Sequence, residues 1–108
     1  MTEHDFYRNK QVRETEWWLH SCDLSVQKWA RLRVFNDGTA DSCFGPNDTL
    51  FGFDNRDYAG YILSEDEYIR FNDMDREDED EYGIVLTNIV PPTWPETDKQ
   101  KFKYLGTY

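Results

Sequence analysis

The sequence of residues 28–44 is KWARLRVFNDGTADSCF, and it decides the fold. Residues 28–35 alternate between two sets of side chains, which is the period of a β-strand. Asn36-Asp37-Gly38 is a strong turn signal, and residues 39–44 can return beside the first strand. This stretch therefore predicts a β-hairpin.

The loop length of this hairpin decides which residues face each other. A two-residue loop would place Val34 opposite Asp41. A three-residue loop with a left-handed Gly38 places Val34 opposite Ala40 instead, and Arg33 then faces Asp41. We expect the second register, because it keeps apolar side chains together and pairs opposite charges.

Further β-forming runs lie on both sides of the hairpin. Residues 15–22 (TEWWLHSC) precede it, and residues 49–53 follow it after a turn at residues 45–48. This spacing predicts an antiparallel meander of four short strands. Residues 84–90 are either a buried strand or an extended cover segment, and residues 102–108 are a candidate edge strand.

A helix is expected after the fourth strand. Asp54 is a suitable N-cap, and Asp57 would interact favourably with the positive end of the helix dipole. Tyr58, Tyr61 and Ile62 would then share one face of this helix.

A second helix is expected to begin at Ser64, because residues 64–67 have the form of a capping box. Two separate helices and one kinked helix both fit this pattern. Residues 73–82 are either a marginal helix or a solvated loop, since acids one turn apart repel and oppose the dipole near a helix C-terminus. Gly83 has the character of a left-handed helix end, with Ile84 as its hydrophobic contact.

These signals predict an α+β domain, with an antiparallel β-meander of four to six strands and one or two helices after the fourth strand packed on one face. The 108 residues have the length of a single domain, residues 1–108. Residues 1–14 are expected to fray or to form a short helix anchored by Phe6. Trp94 is expected to pack its ring on the body of the domain.

The formal net charge is −10, and it is unevenly distributed. Residues 64–82 contain ten acidic and two basic residues and so carry −8, which leaves −2 for the rest of the chain. Such a charge disfavours direct binding to nucleic acid phosphates and to anionic membranes. It favours a long-range encounter with a basic protein.

The sequence also lacks a membrane or export signal. No stretch approaches the roughly 20 apolar residues that a membrane span needs. Residues 1–16 contain no apolar run typical of a secretory signal. We therefore expect a cytoplasmic protein.

We call residues 73–82 the acidic segment, and it is the first candidate site. The residues predicted to bind a partner are Asp73, Asp75, Glu77, Asp78, Glu79, Asp80, Glu81 and Tyr82. The segment is either a solvated face or a docking surface for a basic protein, and docking is the leading hypothesis. It makes the protein a non-enzymatic binding or regulatory module.

The acidic segment does not match an EF-hand calcium loop. In a loop that begins at Asp73, position six would be Asp78 where Gly is needed. Position twelve would be Ile84 where Glu is needed. Weak binding of divalent ions is the alternative that this pattern leaves open.

The second predicted strand carries another candidate site. Trp29, Arg31, Arg33 and Phe35 share one of its faces, and Arg beside aromatic rings can stack on bases or sugars and hold anions. With His20, this face would make the protein a small-ligand-binding or catalytic domain, which is the alternative function.

The other interpretation of the same face is structural. Arg33 would then pair with Asp41, and Arg31 would pair with Glu16 or with the acidic segment folded back. A helix or the C-terminal tail would cover Trp29 and Phe35. The adjacent residues Trp17-Trp18 point to opposite faces of their strand, so one ring belongs to each side of the sheet. An uncovered aromatic face would favour a homodimer.

The remaining residue types indicate no further chemistry. Cys22 and Cys43 both fall in predicted strands and are either free thiols or a disulfide. His4 and His20 show no metal-binding spacing to them. No catalytic motif is present, so we predict no catalytic residue, no metal, no cofactor and no enzymatic activity.

A pattern across residues 17–90 resembles small acidic bacterial proteins, chiefly cyanobacterial, whose function is uncharacterised. The residues that carry the resemblance are Trp29, Arg31, Val34-Phe35, Asp37-Gly38-Thr39-Ala40, Phe53, Ala59 and Glu65-Asp66-Glu67-Tyr68. The chain also resembles, in size and charge alone, small acidic immunity proteins that neutralise toxins. Neither resemblance implies an activity or a site residue.

Overall fold

The computed structural model describes residues 2–22, 24, 26–94 and 101–107 of the chain. The strands in these residues are β1 (Val12–His20), β2 (Trp29–Phe35), β3 (Ala40–Cys43), β4 (Leu50–Phe53), β5 (Tyr68–Arg70) and β6 (Phe102–Gly106). The helices are α1 (Glu3–Tyr7), α2 (Arg56–Glu65) and α3 (Arg76–Tyr82), with short 3-10 turns at Phe71–Asp73 and Leu86–Asn88. The strands form one sheet in the order β5-β1-β2-β3-β4-β6. The fold is therefore α+β, as predicted.

The predicted meander from β1 to β4 is confirmed, together with the hairpin register. Val34 lies opposite Ala40, and Arg33 lies opposite Asp41. Gly38 has a φ of 87°, which is the left-handed conformation of the three-residue loop. Because Val34 and Ala40 are both buried in the core, the other register would have placed a carboxylate there at high cost.

One strand pair corrects the purely antiparallel arrangement. β6 is parallel to β4, with Leu50 opposite Phe102. A parallel neighbour needs a long crossover connection, and the chain between these two strands contains α2, β5 and α3. The predicted edge strand at residues 102–108 is confirmed for Phe102–Gly106; residue 108 lies outside the described residues.

The helices lie on both faces of the sheet, which corrects the prediction that they pack on one face after the fourth strand. α1 precedes β1, and its Phe6 is only 1% exposed and packs edge-on against Phe35. α2 packs on the opposite face, against Val34 and its neighbours. The N-terminal helix anchored by Phe6 is thus confirmed. No helix in the described part of the chain is long and apolar enough to cross a membrane.

α2 begins at a different cap from the one predicted. Asn55, not Asp54, is the N-cap, and its side-chain oxygen accepts a hydrogen bond from the Tyr58 N–H at 2.8 Å. The face that α2 buries consists of small and aliphatic residues: Ala59, Gly60 and Leu63. Of the predicted Tyr58-Tyr61-Ile62 face, Tyr58 and Ile62 also pack against this core, whereas Tyr61 is 50% exposed and stacks on the Tyr58 ring.

The second helix predicted to begin at Ser64 does not form. Ser64 belongs to the last turn of α2, where its hydroxyl donates to the Gly60 carbonyl at 3.0 Å. Glu67 follows with a left-handed φ of 67° and turns the chain out of the helix. Tyr68 then pairs with His20, so β5 extends the sheet beyond β1.

The sheet has an apolar cluster on each face. The α2 face holds Trp18, Ala30, Leu32, Val34, Ala40, Phe53, Ala59, Leu63 and Tyr68. The opposite face holds Leu19, Leu24, Trp29, Met74 and Ile89, with Trp17 packed against them. The two adjacent tryptophans therefore point to opposite faces, as predicted.

Residues 84–90 form the cover segment and not the strand. A 3-10 turn at Leu86–Asn88 interrupts them, and Ile89 is buried in the cluster opposite α2. Trp94 extends this cover, since its ring centroid lies 4.9 Å from that of Trp17. The predicted packing of Trp94 on the domain is confirmed.

Candidate functional site

The acidic segment is helical. Asp75 caps α3 by accepting hydrogen bonds from the N–H groups of Glu77 at 2.9 Å and Asp78 at 3.3 Å. The Asp78 carboxylate accepts in return from the Asp75 N–H at 2.9 Å, which completes a capping box. Gly83 ends the helix with a left-handed φ of 66°. The caps at both ends offset the repulsion between neighbouring acids.

Apolar and polar contacts fix the acidic segment to the sheet. Met74 is buried in the cluster opposite α2, and Tyr82 packs against the same cluster. The Glu79 carboxylate accepts a hydrogen bond from the Leu86 N–H at 2.9 Å. Contacts just before α3 and at its last residue therefore attach the helix to the domain, while none of its own residues is buried.

The seven carboxylates of the acidic segment fall into three groups. Asp73 pairs with Arg70 at 3.1 Å. Three accept backbone hydrogen bonds: Asp75, Asp78 and Glu79. The last three are exposed and make no ion pair with any described residue: Glu77, Asp80 and Glu81. Most of the negative charge of the segment is therefore not paired with a cation of the described residues.

Tyr68 and Tyr82 lie on opposite faces of the sheet and differ in availability. Tyr82 is half-buried at the end of α3; partial burial raises its pKa, and the carboxylates of Glu81 and Asp78 add to the effect. Tyr68 is 4% exposed, and its buried hydroxyl has no hydrogen-bond partner in the part of the chain that the structure describes. Tyr82 can therefore contact a partner, whereas Tyr68 belongs to the core.

The structure does not bring together all the residues predicted for the alternative small-ligand site. Trp29, Arg31 and Arg33 share one side of β2, but His20 lies on the other side of the sheet against the Tyr68 ring, at 4.9 Å between centroids. The predicted grouping of His20 with this face is wrong. Trp29 is also mostly covered, with 8% exposure.

One of the two ion pairs predicted for this face forms, and the other does not. The Arg33 Nε donates to the Asp41 Oδ1 at 3.0 Å. Glu16, however, does not reach Arg31, because consecutive strand positions place it on the α2 face. There its carboxylate accepts hydrogen bonds from Arg56 at 2.7 and 2.9 Å.

Arg31 therefore has no counterion among the described residues. It is 7% exposed, and no described residue accepts a hydrogen bond from its buried Nε. It lines a groove of about 370 Å³ between the sheet and the cover segment. The other residues of the groove are Val12, Thr15, Trp17, Arg33, Pro92, Thr93 and Trp94.

A third constellation joins residues that the sequence analysis kept apart. The ligand atoms of His20, Cys22 and Glu67 all lie within 4.8 Å of one another. Cys22 lies past the end of β1 and is exposed, which corrects its prediction as a strand residue. Its thiol donates a hydrogen bond to the Glu67 carboxylate, and this bond raises the pKa of the thiol.

From the sequence alone, only the proximity of His20 and Cys22 could have been predicted. His20 and Cys22 are separated by a single residue, but Glu67 lies 45 positions beyond Cys22 and was interpreted as part of a helix start. Both thiols are free in the structure. Cys43 is buried in β3 on the side of Arg31, and this burial raises its pKa.

Comparison with known proteins adds nothing to this geometry, since no family model, curated protein or solved structure matches the chain.

Proposed function

We propose that the protein is a non-enzymatic binding module that docks a basic partner protein through the acidic segment. The observation that carries the proposal is the exposed row of Glu77, Asp80 and Glu81, which no cation of the described chain neutralises. Concentrated surface charge accelerates and orients the encounter with an oppositely charged surface.

The attachment of α3 supports the same conclusion. Its capping box and the burial of Met74 form the helix and fix its start on the domain before any partner arrives. A surface that is already ordered loses little conformational entropy on binding. Tyr82 offers a half-buried aromatic ring at the end of the helix, which is a suitable contact beside the charges.

The test is capture of basic proteins by the immobilised domain, followed by titration of the purified partner at two salt concentrations. The variant is Glu77→Gln/Asp80→Asn/Glu81→Gln, which removes three exposed charges and leaves the capping carboxylates in place. At about 0.5 kcal/mol for each charge, we expect affinity to fall about tenfold. The salt dependence should become shallower.

A matched control removes three exposed charges elsewhere on the surface, in the variant Glu3→Gln/Asp57→Asn/Glu65→Gln. It changes the net charge by the same amount, so it should retain the affinity within about twofold. Equal losses in both variants would reduce the effect to net charge. An unchanged partner and salt dependence in the first variant would remove the acidic segment from the function.

A second candidate function is supported by Arg31. A guanidinium at 7% exposure without a counterion among the described residues is costly, and an anionic ligand in the adjoining groove would offset that cost. The rings of Trp17 and Trp94 would flank such a ligand. We therefore propose, as the alternative, a small-anion site on this face.

Inorganic phosphate is the probe for the second candidate. At constant ionic strength it should raise the melting temperature of the wild-type protein, because a ligand that binds only the native state stabilises it. Arg31→Met keeps the length of the side chain and should abolish the shift. A shift of the same size in both proteins, or none in the wild type, would reject the anion site.

A further inference from the structure

We propose that His20, Cys22 and Glu67 form a Zn²⁺ site at the junction of β1 and β5. Their ligand atoms already lie within 4.8 Å of one another. In tetrahedral zinc sites neighbouring ligand atoms are about 3.3–3.8 Å apart, as bond lengths of about 2.0–2.3 Å require. Small side-chain adjustments would therefore bring the three atoms around one ion.

The backbone holds the ligands together from both sides. His20 pairs with Tyr68 in the β1–β5 ladder, and the Ser21 N–H donates to the Glu67 carbonyl at 2.9 Å. The Ser21 hydroxyl donates to the same carbonyl at 2.7 Å. These bonds fix Glu67 beside the end of β1, so the site does not depend on a single flexible loop.

The orientation of the side chains suits a common ion. A ring nitrogen of His20 lies within 4.8 Å of the Cys22 sulfur and of a Glu67 carboxylate oxygen. The Cys22 N–H donates a hydrogen bond of 3.4 Å to Nδ1 of His20, which holds the imidazole beside Cys22, and a metal bound at Nδ1 would replace this long bond. The Cys22 thiol contacts the Glu67 carboxylate directly.

The donor set selects the metal. A thiolate, an imidazole nitrogen and a carboxylate oxygen together match Zn²⁺, which accepts all three. Ca²⁺ and Mg²⁺ take oxygen ligands and gain nothing from the thiol or the imidazole. Three protein ligands leave a fourth tetrahedral position for water.

This site shares no residue with the exposed row of the acidic segment, and its test can distinguish the two. The protein is stripped of metal with a chelator, kept reduced with a non-thiol reductant, and titrated with Zn²⁺. We expect one ion per chain with a dissociation constant of about 1 μM or tighter. Replacement of Zn²⁺ by Co²⁺ should produce a thiolate-to-cobalt charge-transfer band, because the thiolate is a ligand.

Three ligand variants and two controls complete the experiment. Cys22→Ser, His20→Gln and Glu67→Gly should each weaken zinc binding by about 100-fold, since loss of an outer partner alone commonly costs 10–100-fold. Cys43→Ala should bind as the wild type does. The variant that removes Glu77, Asp80 and Glu81 charges should also retain the site.

Alkylation of the thiols gives a second readout that needs no binding isotherm. Iodoacetamide should modify the exposed Cys22 in the metal-free protein, and Zn²⁺ should slow this reaction by at least about tenfold. The buried Cys43 should remain unmodified in both states. Wild-type affinity in Cys22→Ser, or loss of binding in the acidic-segment variant, would overturn the proposal.

Discussion

Arg33 and Asp41 face each other across the β2–β3 ladder and are joined by two hydrogen bonds, at 3.0 Å from Nε and 2.5 Å from a terminal nitrogen. The Asp41 residue is fully buried. The Tyr7 hydroxyl of α1 donates to the same carboxylate at 2.6 Å. Burial, followed by the charge of Asp41 and this hydrogen bond, raises the pKa of Tyr7 well above its ordinary value. One carboxylate thus joins the hairpin to the N-terminal helix.

Asp41→Asn is expected to lower the free energy of unfolding by about 3 kcal/mol. The substitution keeps the volume but leaves the buried end of Arg33 without the carboxylate opposite it, and breaking a buried pair in this way commonly costs about 3–5 kcal/mol. Tyr7→Phe, which removes one hydrogen bond, should cost about 1 kcal/mol. Urea unfolding measures both.

Asp57→Asn provides the matched control for that change. The Asp57 side chain is 88% exposed, and its nearest contact with Arg56 is 3.8 Å. An exposed ion pair contributes little to stability, so the free energy of unfolding of this variant should differ from that of the wild type by less than about 0.5 kcal/mol. Equal effects of the two Asp→Asn changes would contradict the structural role of Asp41.

The sequence predicted the hairpin correctly because local turn chemistry and cross-strand pairing agreed. Gly38 fixed the loop, and only one register placed Arg33 opposite Asp41. The parallel pairing of β6 could not be predicted in the same way, because it depends on the path of a long crossover that no local pattern records.

Other errors arose where one motif is compatible with two structures. Residues 64–67 match a capping box, but the left-handed Glu67 ends the helix there and the open edge of β1 captures the chain that follows. An ion pair between Arg31 and Glu16 was predicted because the sequence does not show which residues face each other on neighbouring strands. For the same reason the contact between Cys22 and Glu67 could not be predicted.

Glu16 is expected to make stability depend on acid pH. It is 3% exposed and accepts hydrogen bonds from Arg56. Burial alone raises the pKa of this carboxyl, but the hydrogen bonds and charges of Arg56 and the charge of Arg70 outweigh burial and hold the pKa below its ordinary value. The ionised form is therefore favoured in the folded state.

The sign of the pH effect follows from this lowered pKa. The stabilisation is present above the unfolded carboxyl pKa of about 4.3 and is lost as the pH falls through the folded value. Glu16→Gln should be less stable than the wild type at pH 7, and the difference should shrink toward pH 3. Urea unfolding from pH 7 to pH 3 measures it. Glu14→Gln is the control, because Glu14 is half exposed and lies 3.6 Å from Arg70.

Glu67→Gly is expected to raise the free energy of unfolding by about 0.5–1 kcal/mol. The left-handed φ of 67° strains any residue with a Cβ, whereas glycine adopts it freely. Glu67→Ala removes the same carboxylate but keeps the Cβ, so it should show no gain. Thermal unfolding of the metal-free variants compares them. If alanine stabilises the protein as much as glycine does, the backbone conformation is not the cause.

Two substitutions of Asp75 distinguish the stabilisation of α3 by the capping oxygen from its stabilisation by the negative charge. Asp75→Asn removes a negative charge but keeps an oxygen that can accept from the N–H groups of Glu77 and Asp78. Asp75→Ala removes both the charge and the cap, and should destabilise the helix by about 1 kcal/mol. Amide hydrogen exchange of Arg76–Tyr82 should therefore accelerate about fivefold in the alanine variant and stay near the wild-type rate in the asparagine variant. Fast exchange in both variants would show that charge, and not the capping oxygen, holds this helix.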